Sequence, residues 1–434
     1  MIVANPILPG FHPDPCAVRV DGDYYIASST FEWYPGVEIH HSTDLLHWTL
    51  VARPLDTPAL LDLRGVPNSG GVWAPCLSYA NGLFYLLYSI TRTVEETTQD
   101  TENYVTSAPD VRGPWAAPVR LHSGGFDASL FHDPDGSHWV VGMRWDSRVE
   151  QNHFAGIFLQ EYCPTQRRLL GQPKLIYRGS SLGLTEGPHL YARHGEYLLM
   201  VAEGGTRDDH AVLVCKSTNR EGPYVPDPKG HMLTARHRPD WPIQYAGHGS
   251  LVEDTANRWL LFHLGTRKKP FGGFSVLGRE TFLQTVEFNS LGYPRLTGGE
   301  TLPQETVPLP GPQAEPTDWA FTCDFSVPAL PLRMYLVGKG IAGYANPVVD
   351  NTRFYLEIIS FPYCQATDDC AACTAGYDTV VLKRSVIVGV IIHKVRCCAG
   401  RLGPCAAACA WICANCARNP AAFLAAGKAP APSA

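Results

Sequence analysis

The sequence has no long run of lysine and arginine, and its 434 residues carry a formal net charge of only -6. Nucleic acids and anionic membranes are recognised through basic surface patches, so we expect neither kind of partner. No uncharged apolar stretch reaches the roughly 18 residues that a membrane-spanning helix needs. The opening residues, MIVANPILPGFHPDP, lack the basic and apolar regions of a secretory signal. These absences predict a soluble, cytoplasmic protein.

Cysteine is also scarce over most of the chain. Only Cys16, Cys76, Cys163 and Cys215 fall within the first 310 residues, and the other ten of the 14 follow them. Single, separated thiols are ordinary in a reducing compartment, where they pack as small buried hydrophobes. The first 310 residues therefore differ from the rest of the chain in how often cysteine occurs.

Helical periodicity is also scarce from the start of the chain through residue 300. Short aromatic and β-branched runs recur instead between turn residues, which is typical of an all-β fold. One turn-and-strand pattern appears five times, as DGDYYIASS from Asp21, NGLFYLLYS from Asn81, DGSHWVVGM from Asp135, HGEYLLMVA from His194 and ANRWLLFHL from Ala256. The turn positions Gly22, Gly82, Gly136, Gly195 and Asn257 are 60, 54, 59 and 62 residues apart. Units of this length predict a five-bladed β-propeller over residues 1–305.

A residue capable of chemistry precedes each turn by eight or nine positions. These residues are Asp14, Trp73, Asp127, Glu186 and His248. Innermost strands of a propeller surround a central channel, so equivalent positions near their starts should converge at its axis. Taken singly, each residue is explained as a turn, core or hydrogen-bonding residue. Taken in register, three carboxylates would be costly to bury without a function.

Two facing carboxyl groups can hydrolyse a glycoside, one as an acid and the other as a base or nucleophile. A third negative charge nearby raises the pKa of the acid, and Asp127 is placed to act in this way on Glu186. Aromatic residues such as Phe31, Trp73 and Trp145 would supply faces for a sugar ring. By contrast, Asp133 and Asp135 belong to the turn DPDG and receive no catalytic role.

Several motifs in order resemble glycoside hydrolase family 43, in particular its β-xylosidase group. They are NPILPGFHPDP, STFEWYPGVEIHHSTDLLHW, GVWAPCLSY, FDASLF, TEGPHL, YAGHGS and LGRET, and they extend from residue 3 to about residue 310. The resemblance implies a five-bladed propeller, an inverting mechanism and release of xylose from the non-reducing end of β-1,4-xylo-oligosaccharides. Activity on α-L-arabinofuranosides often accompanies it.

The resemblance also implies a role for each site residue. Asp14 would be the general base that activates water, Glu186 the general acid, and Asp127 the residue that tunes and orients the acid. Arg279 would bind substrate at the pocket floor, although an ion pair with Glu280 or another carboxylate is the structural alternative. The remaining wall residues would be Phe31, Trp73, Trp145, Thr206 and His248.

Two of these wall residues need not contact the sugar. A loop hydrogen bond accounts equally well for Thr206. His248 would touch the sugar or hold a central water or divalent cation, but one histidine is weak support for a metal, so we expect no required cofactor.

Members of this group carry a β-sandwich after the propeller, and here the resemblance fades. Residues 306–335 form a Pro-rich linker and a sandwich-like start, whereas residues 336–434 are a divergent, Ala-rich and Cys-rich remnant that we expect to be poorly ordered. A change of coding frame near residue 335 would explain the shift. Cys405, Cys409, Cys413 and Cys416 resemble a metal or cluster site only poorly in their spacing.

Three further functions compete with an exo-acting xylosidase. An α-L-arabinofuranosidase or a bifunctional enzyme would use the same pocket residues. A non-catalytic carbohydrate-binding propeller would keep the aromatic wall but would need no acid and base. The retaining, fructoside-cleaving propellers have different signatures. In each case the partner is a small oligosaccharide, and the sequence leaves open whether the chain forms a homo-oligomer.

Overall fold

The computed structural model describes residues 1–94, 99–148, 153–267, 275, 277–313, 315, 317 and 336–337. Every regular element in this part of the chain is a β-strand, and most of the strands form five antiparallel sheets of four or five strands. The predicted all-β, five-bladed propeller is therefore confirmed. Among the described residues there is no helix of the length and apolarity needed to cross a membrane.

The chain enters through one short strand and then builds the first two blades. These strands are β1 (Ile2–Ala4), β2 (Cys16–Val20), β3 (Asp23–Ser28), β4 (Trp33–Tyr34), β5 (Glu38–Ser42), β6 (Thr49–Ala52), β7 (Gly71–Ala80), β8 (Leu83–Thr91), β9 (Thr101–Ala108) and β10 (Val119–His122). Blade 1 has the order β2-β3-β5-β6 and blade 2 the order β7-β8-β9-β10. Each strand pairs with a neighbour close to it in sequence, so each blade is a meander.

The next three blades repeat this plan. Their strands are β11 (Ser129–His132), β12 (His138–Trp145), β13 (Phe154–Cys163), β14 (Arg168–Tyr177), β15 (Glu186–Arg193), β16 (Glu196–Glu203), β17 (Ala211–Ser217), β18 (Val225–Pro226), β19 (Leu233–Thr234), β20 (Ile243–Glu253), β21 (Trp259–Arg267), β22 (Glu280–Phe288) and β23 (Pro294–Leu296). Blade 3 has the order β11-β12-β13-β14, and blade 5 the order β20-β21-β22-β23. In blade 4, β15-β16-β17-β18 is extended by β19, which also pairs with β17.

The five predicted turns join the first and second strands of the five blades, as the repeat requires. In blade 2 the turn residues Asn81 and Gly82 have φ values of 52° and 77°. In blade 4 His194 and Gly195 have φ values of 49° and 79°. Two-residue loops with positive φ at both positions match the right-handed twist of the strands that they join.

Five apolar clusters fill the interfaces between successive blades. The cluster between the last and first blades closes the ring, because Ile26 and Trp48 of blade 1 pack there with Phe262 and Leu283 of blade 5. Successive side chains of a strand point to opposite faces of the sheet, and each sheet lies between two neighbouring blades. Both faces of each sheet are therefore apolar.

The ends of the described chain also contact the propeller. The short strand β24 (Thr306–Pro308) pairs with β1, and its Val307 belongs to the cluster that closes the ring. The last strand, β25 (Leu336–Val337), pairs with β4 of the segment that follows β3. Apart from Leu336 and Val337, the predicted remnant of residues 336–434 lies outside the described residues, and so do the proposed change of coding frame and the C-terminal cysteines. The predicted domain boundaries stay predictions.

Candidate active site

Four of the five residues found in register, one of them His248, lie close together. Nδ1 of His248 lies 3.9 Å from Oδ1 of Asp14 and 3.8 Å from Oδ2 of Asp127. Glu186 is close enough for its charge to add to the effect of burial in raising the pKa of Asp127. These residues come from blades 1, 3, 4 and 5, so the innermost strands bring distant parts of the chain to one point.

The backbone has a positive φ in at least one position near the start of every innermost strand. The φ values are 55° at Asp14, 34° at Ala74, 54° at Asp127, 56° at Gly187 and 41° at His248. Strand pairing is irregular around three of these positions. A bulge with a left-handed residue re-aims its neighbouring side chains, and it costs on the order of 1–3 kcal/mol in a residue other than glycine. The repeated feature thus turns the site residues toward the channel.

Asp14 is buried and held by two donors. Ser29 Oγ donates to Oδ2 at 2.6 Å, and Arg279 Nη1 lies 3.2 Å from Oδ1. Burial raises the pKa of Asp14, but the charge of Arg279, followed by the interactions with His248 and Ser29, outweighs burial, so the net shift is downward. The carboxylate therefore stays ionised, as a general base must.

Glu186 has the opposite electrostatic environment. Burial first, and then the negative charge of Asp14, raise the pKa of Glu186 to about 7. The preceding Thr185 donates from Oγ1 to Glu203 at 3.1 Å, and Ser180 donates to the same buried carboxylate from its backbone N–H and its hydroxyl. The segment that carries Glu186 is thus fixed, and the side chain can hold a proton close to neutral pH.

Asp127 interacts with the residue that follows the expected acid. Burial and the charge of Glu186 raise the pKa of Asp127 well above its usual range, although the backbone N–H of Gly187 donates to its carboxylate. Two coupled carboxyl groups share their titration, so their protons belong to the pair. The structure attributes the raised pKa of Glu186 to burial and to Asp14, and the expected tuning by Asp127 stays a prediction.

His248 is neutral, because burial lowers its pKa to about 4. A Cβ added at Gly187 would lie 3.0 Å from Cε1 and Nδ1 of this ring, so the imidazole packs directly on the backbone beside Glu186. Within the described part of the chain, three close His, Cys or carboxylate ligands occur together in two places, and His248 belongs to neither. The alternative role of His248, holding a central water or divalent cation, therefore stays untested.

Arg279 faces the site. Its guanidinium carbon lies 5.0 Å from the centre of the Phe31 ring, in addition to the contact with Asp14. The neighbouring Glu280 is paired with Arg267 at 2.8 Å, so the alternative ion pair within LGRET does not form.

A chain of rings forms one wall of the site. Ring centres are 6.1 Å apart for Phe31 and Trp73, 5.4 Å for Trp73 and Phe126, and 6.0 Å for Phe126 and Trp145. Trp145 also stacks on His153 at 5.0 Å. Its indole Nε1 is buried and has no hydrogen-bond partner among the described residues. This wall offers apolar faces and one available N–H donor.

Thr206 lies in an exposed turn after β16. Glu186 pairs with Ala202 near the end of that strand, so the turn leaves the sheet at the same end as Glu186. Within the described ranges, the structure does not bring Thr206 into contact with the carboxyl groups, and its predicted contact with substrate stays a prediction.

Sequence reasoning missed three residues of the site. Phe126 could have been found, because it precedes Asp127 in FDASLF. His210 had no sequence signal, since it precedes a third strand and not an innermost one. It is buried, its Nδ1 lies 3.0 Å from the Tyr245 carbonyl, and its Nε2 has no partner in the described structure. The charges of Asp14 and Arg279 act on its ring. Gly187 was likewise overlooked beside Glu186.

Comparison with known proteins agrees with this geometry. The family model described as glycosyl hydrolases family 43 matches residues 3–294. A β-xylosidase of Bacillus subtilis is 46% identical over 308 residues, which cover 69% of this chain and 58% of the relative. Xylosidase/arabinosidase 43B of Humicola insolens is 46% identical over 317 residues, covering 73% of this chain and 59% of the relative. The chain thus spans less than two thirds of the length of these relatives.

A solved structure gives the same result for the fold. The crystal structure of xylan β-1,4-xylosidase from Bacillus halodurans superimposes with a TM-score of 0.75 at 46% identity, covering 78% of this chain and 65% of that one. The sequence motifs, the five blades and the three gathered carboxyl groups agree with the match to the family model. This chain belongs to glycosyl hydrolase family 43.

Proposed function

We propose that the protein is an inverting exo-glycosidase that releases xylose from the non-reducing end of β-1,4-xylo-oligosaccharides. The observation that carries the proposal is that Asp14 and Asp127, from two blades, meet at His248, and that Glu186, from a third blade, is close enough to interact electrostatically with both carboxyl groups. Two of these carboxyl groups differ in charge state, since the pKa of Asp14 is lowered and that of Glu186 is raised to about 7. Environments that separate two carboxyl groups in this way assign a base and an acid.

In the proposed reaction, Asp14 accepts a proton from a water molecule as that water attacks the anomeric carbon. Glu186 donates its proton to the glycosidic oxygen as the bond to the leaving sugar breaks. The attacked carbon inverts because water arrives on the face opposite the leaving group. Arg279 keeps Asp14 ionised through its positive charge, and Asp127 anchors the backbone at Gly187.

The chemistry of the wall supports a small sugar as the substrate. The rings of Phe31, Trp73 and Trp145 offer faces for the C–H surfaces of a pyranose, while Arg279, His210 and the Trp145 indole offer polar atoms for its hydroxyl groups. The relatives carry names for xylosides and for arabinosides. We assign xylosides as the main substrate, with α-L-arabinofuranosides as the alternative.

One experiment tests the reaction and its stereochemistry together. The purified protein is incubated with xylobiose, and the anomer of the first-formed xylose is followed by NMR. We expect α-xylose, which then equilibrates with the β anomer. Initial release of β-xylose would show retention and would contradict the mechanism. Glu186→Gln should release xylose about 10²–10⁴-fold more slowly, whereas Asp135→Asn, in an exposed turn, should match the wild type.

A structure with a bound sugar adds a geometric test. Inversion needs room for a water molecule, so the carboxyl groups of Asp14 and Glu186 should be separated by about 6.5–9.5 Å. A separation of about 5 Å would instead indicate a retaining enzyme with a nucleophile. If xylobiose binds but is never cleaved, the protein is a carbohydrate-binding propeller. Rates on aryl β-xyloside and aryl α-L-arabinofuranoside distinguish the two sugars.

A further inference from the structure

Three side chains of residue types that can bind metals meet inside the propeller, separate from the carboxyl groups. They are Cys16 of β2, Cys76 of β7 and His189 of β15, and their ligand atoms all lie within 4.8 Å of one another. Cys16 and Cys76 are each only 4% exposed, and His189 is half-buried. Sequence motifs do not indicate this cluster, because its members are far apart along the chain.

The cluster sits on the innermost strands just beyond the site residues. Cys16 follows Asp14 by two positions, Cys76 follows Trp73 by three, and His189 follows Glu186 by three. The chain positions therefore place the cluster deeper in the same channel. Its members come from blades 1, 2 and 4, so an ion bound to them would join three blades across the axis.

We propose that Cys16, Cys76 and His189 bind one divalent ion of the zinc class. Two thiolates and one imidazole are ligands that zinc prefers, and three protein ligands leave a fourth, tetrahedral position for water. Two thiolates with a divalent cation form a neutral unit, which can be buried at far lower cost than the thiolates alone. Because His189 is only half-buried, water from the solvent can reach that fourth position.

The contacts around the thiols suit this arrangement. The backbone N–H of Leu130 lies 3.4 Å from Sγ of Cys76, so it would donate to a metal-bound thiolate. Cys16 donates weakly to the Leu77 carbonyl at 3.5 Å, a bond that is given up when its thiol loses a proton. Ordinary buried thiols would also show these contacts, so the meeting of three ligands is the feature that favours a metal.

A second group in the described residues provides a useful contrast. His12, Glu38 and His40 are equally close together. However, Nη2 of Arg53 lies 2.7 Å from one Glu38 oxygen, and His12 lies 2.9 Å from the other. A fixed guanidinium repels a cation, so this group is a structural ion pair.

The test measures metal content and not hydrolysis, so it is independent of the proposed function. The full chain is loaded with Zn²⁺ or with Co²⁺, dialysed, and its metal content is determined. The C-terminal cysteines contribute equally to every variant, so differences between variants isolate the internal site. We expect Cys16→Ser, Cys76→Ser and His189→Gln each to bind one ion fewer per chain than the wild type. Cys215→Ser, which removes a buried thiol outside the cluster, is the matched control.

Spectra and melting curves complete the experiment. The cobalt form of the wild type should show thiolate-to-metal charge-transfer absorption that weakens in Cys16→Ser and Cys76→Ser but not in Cys215→Ser. Zinc should raise the Tm of the wild type and of Cys215→Ser more than that of His189→Gln, which tests the site even if the cysteine variants fold poorly. Equal metal content in all variants, or a Cys16 to Cys76 disulfide in the zinc-loaded protein, would overturn the proposal.

Discussion

Arg279 and Asp14, 265 residues apart in sequence, are joined by a contact of 3.2 Å between Nη1 and Oδ1. The same guanidinium lies over the ring of Phe31. One side chain from blade 5 thus links a carboxylate at the start of blade 1 to the aromatic wall. Its positive charge is the largest of the effects that lower the pKa of Asp14.

Removing this charge should shift the acidic limb of the pH-rate profile. In Arg279→Met, burial of Asp14 is no longer offset by the cation, so its pKa rises. The base must be ionised, and the rate should therefore begin to fall at a higher pH than in the wild type as the solution is acidified. Profiles of kcat/KM on an aryl xyloside measure the shift. Arg279→Lys keeps the charge and should shift the limb less, even if KM rises. Identical limbs in all three proteins would contradict the electrostatic role.

Replacing the acid should separate substrates by their leaving groups. Glu186→Gln keeps the shape but removes the proton donor, so hydrolysis of xylobiose should slow by about 10²–10⁴-fold. An activated aryl xyloside should lose much less, because its leaving group departs with little protonation. Asp14→Asn is the comparison, since loss of water activation should slow both substrates alike. Equal losses on both substrates in Glu186→Gln would mean that this residue only shapes the pocket.

The basic limb reports the coupling between Glu186 and Asp127. The acid must be protonated, so the rate should fall as the pH rises through the Glu186 pKa of about 7. Asp127→Asn removes a neighbouring carboxylate, which should lower that pKa and move the limb toward acid. Asp135→Asn changes a carboxylate in an exposed turn and should leave the limb in place. An unmoved limb in Asp127→Asn would show that Asp127 is neutral in the working enzyme and acts only through its hydrogen bond to Gly187.

Gly187 should be required for activity and not only for folding. In Gly187→Ala, the left-handed backbone costs about 1–2 kcal/mol, and the added methyl group meets the His248 ring at 3.0 Å. Gly195→Ala is a matched control, because its φ is also positive at 79° and no atom lies within 4 Å of the added Cβ. We expect both variants to lose stability in chemical denaturation, Gly187→Ala more than Gly195→Ala because of the added contact, but only Gly187→Ala to lose activity on xylobiose. Full activity in Gly187→Ala would show that the position of His248 matters little.

Much of the fold could be predicted because it repeats. The turns at Gly22, Gly82, Gly136, Gly195 and Asn257 are local features, and a turn between two aromatic strands depends on a few adjacent residues. The convergence of Asp14, Asp127, Glu186 and His248 followed from their common position in the repeat. Residues outside that register had no such signal. His210 and the partnership of Cys16 with Cys76 were therefore found only in the structure.

The electrostatics were only partly predictable for the same reason. A raised pKa at Glu186 was expected from a nearby carboxylate, but the responsible charge, after burial, is that of Asp14. Such effects depend on distances between atoms of different blades and on the loss of water around them. The left-handed conformation of Asp14, Asp127 and His248 was likewise not evident, because these residue types do not demand it.

By itself, the sequence determined the strand pattern, the five-fold repeat and the identity of the residues that meet at the channel, since these follow from local turn chemistry and equivalent positions. Only the tertiary structure decided which charges touch. In the folded chain, Arg279 pairs with Asp14, and Glu280 pairs with Arg267. His248 packs on Gly187, and Cys16, Cys76 and His189 lie close together. Closure of the ring sets these contacts, because it fixes the distance of each innermost strand from the axis. No single blade determines that distance.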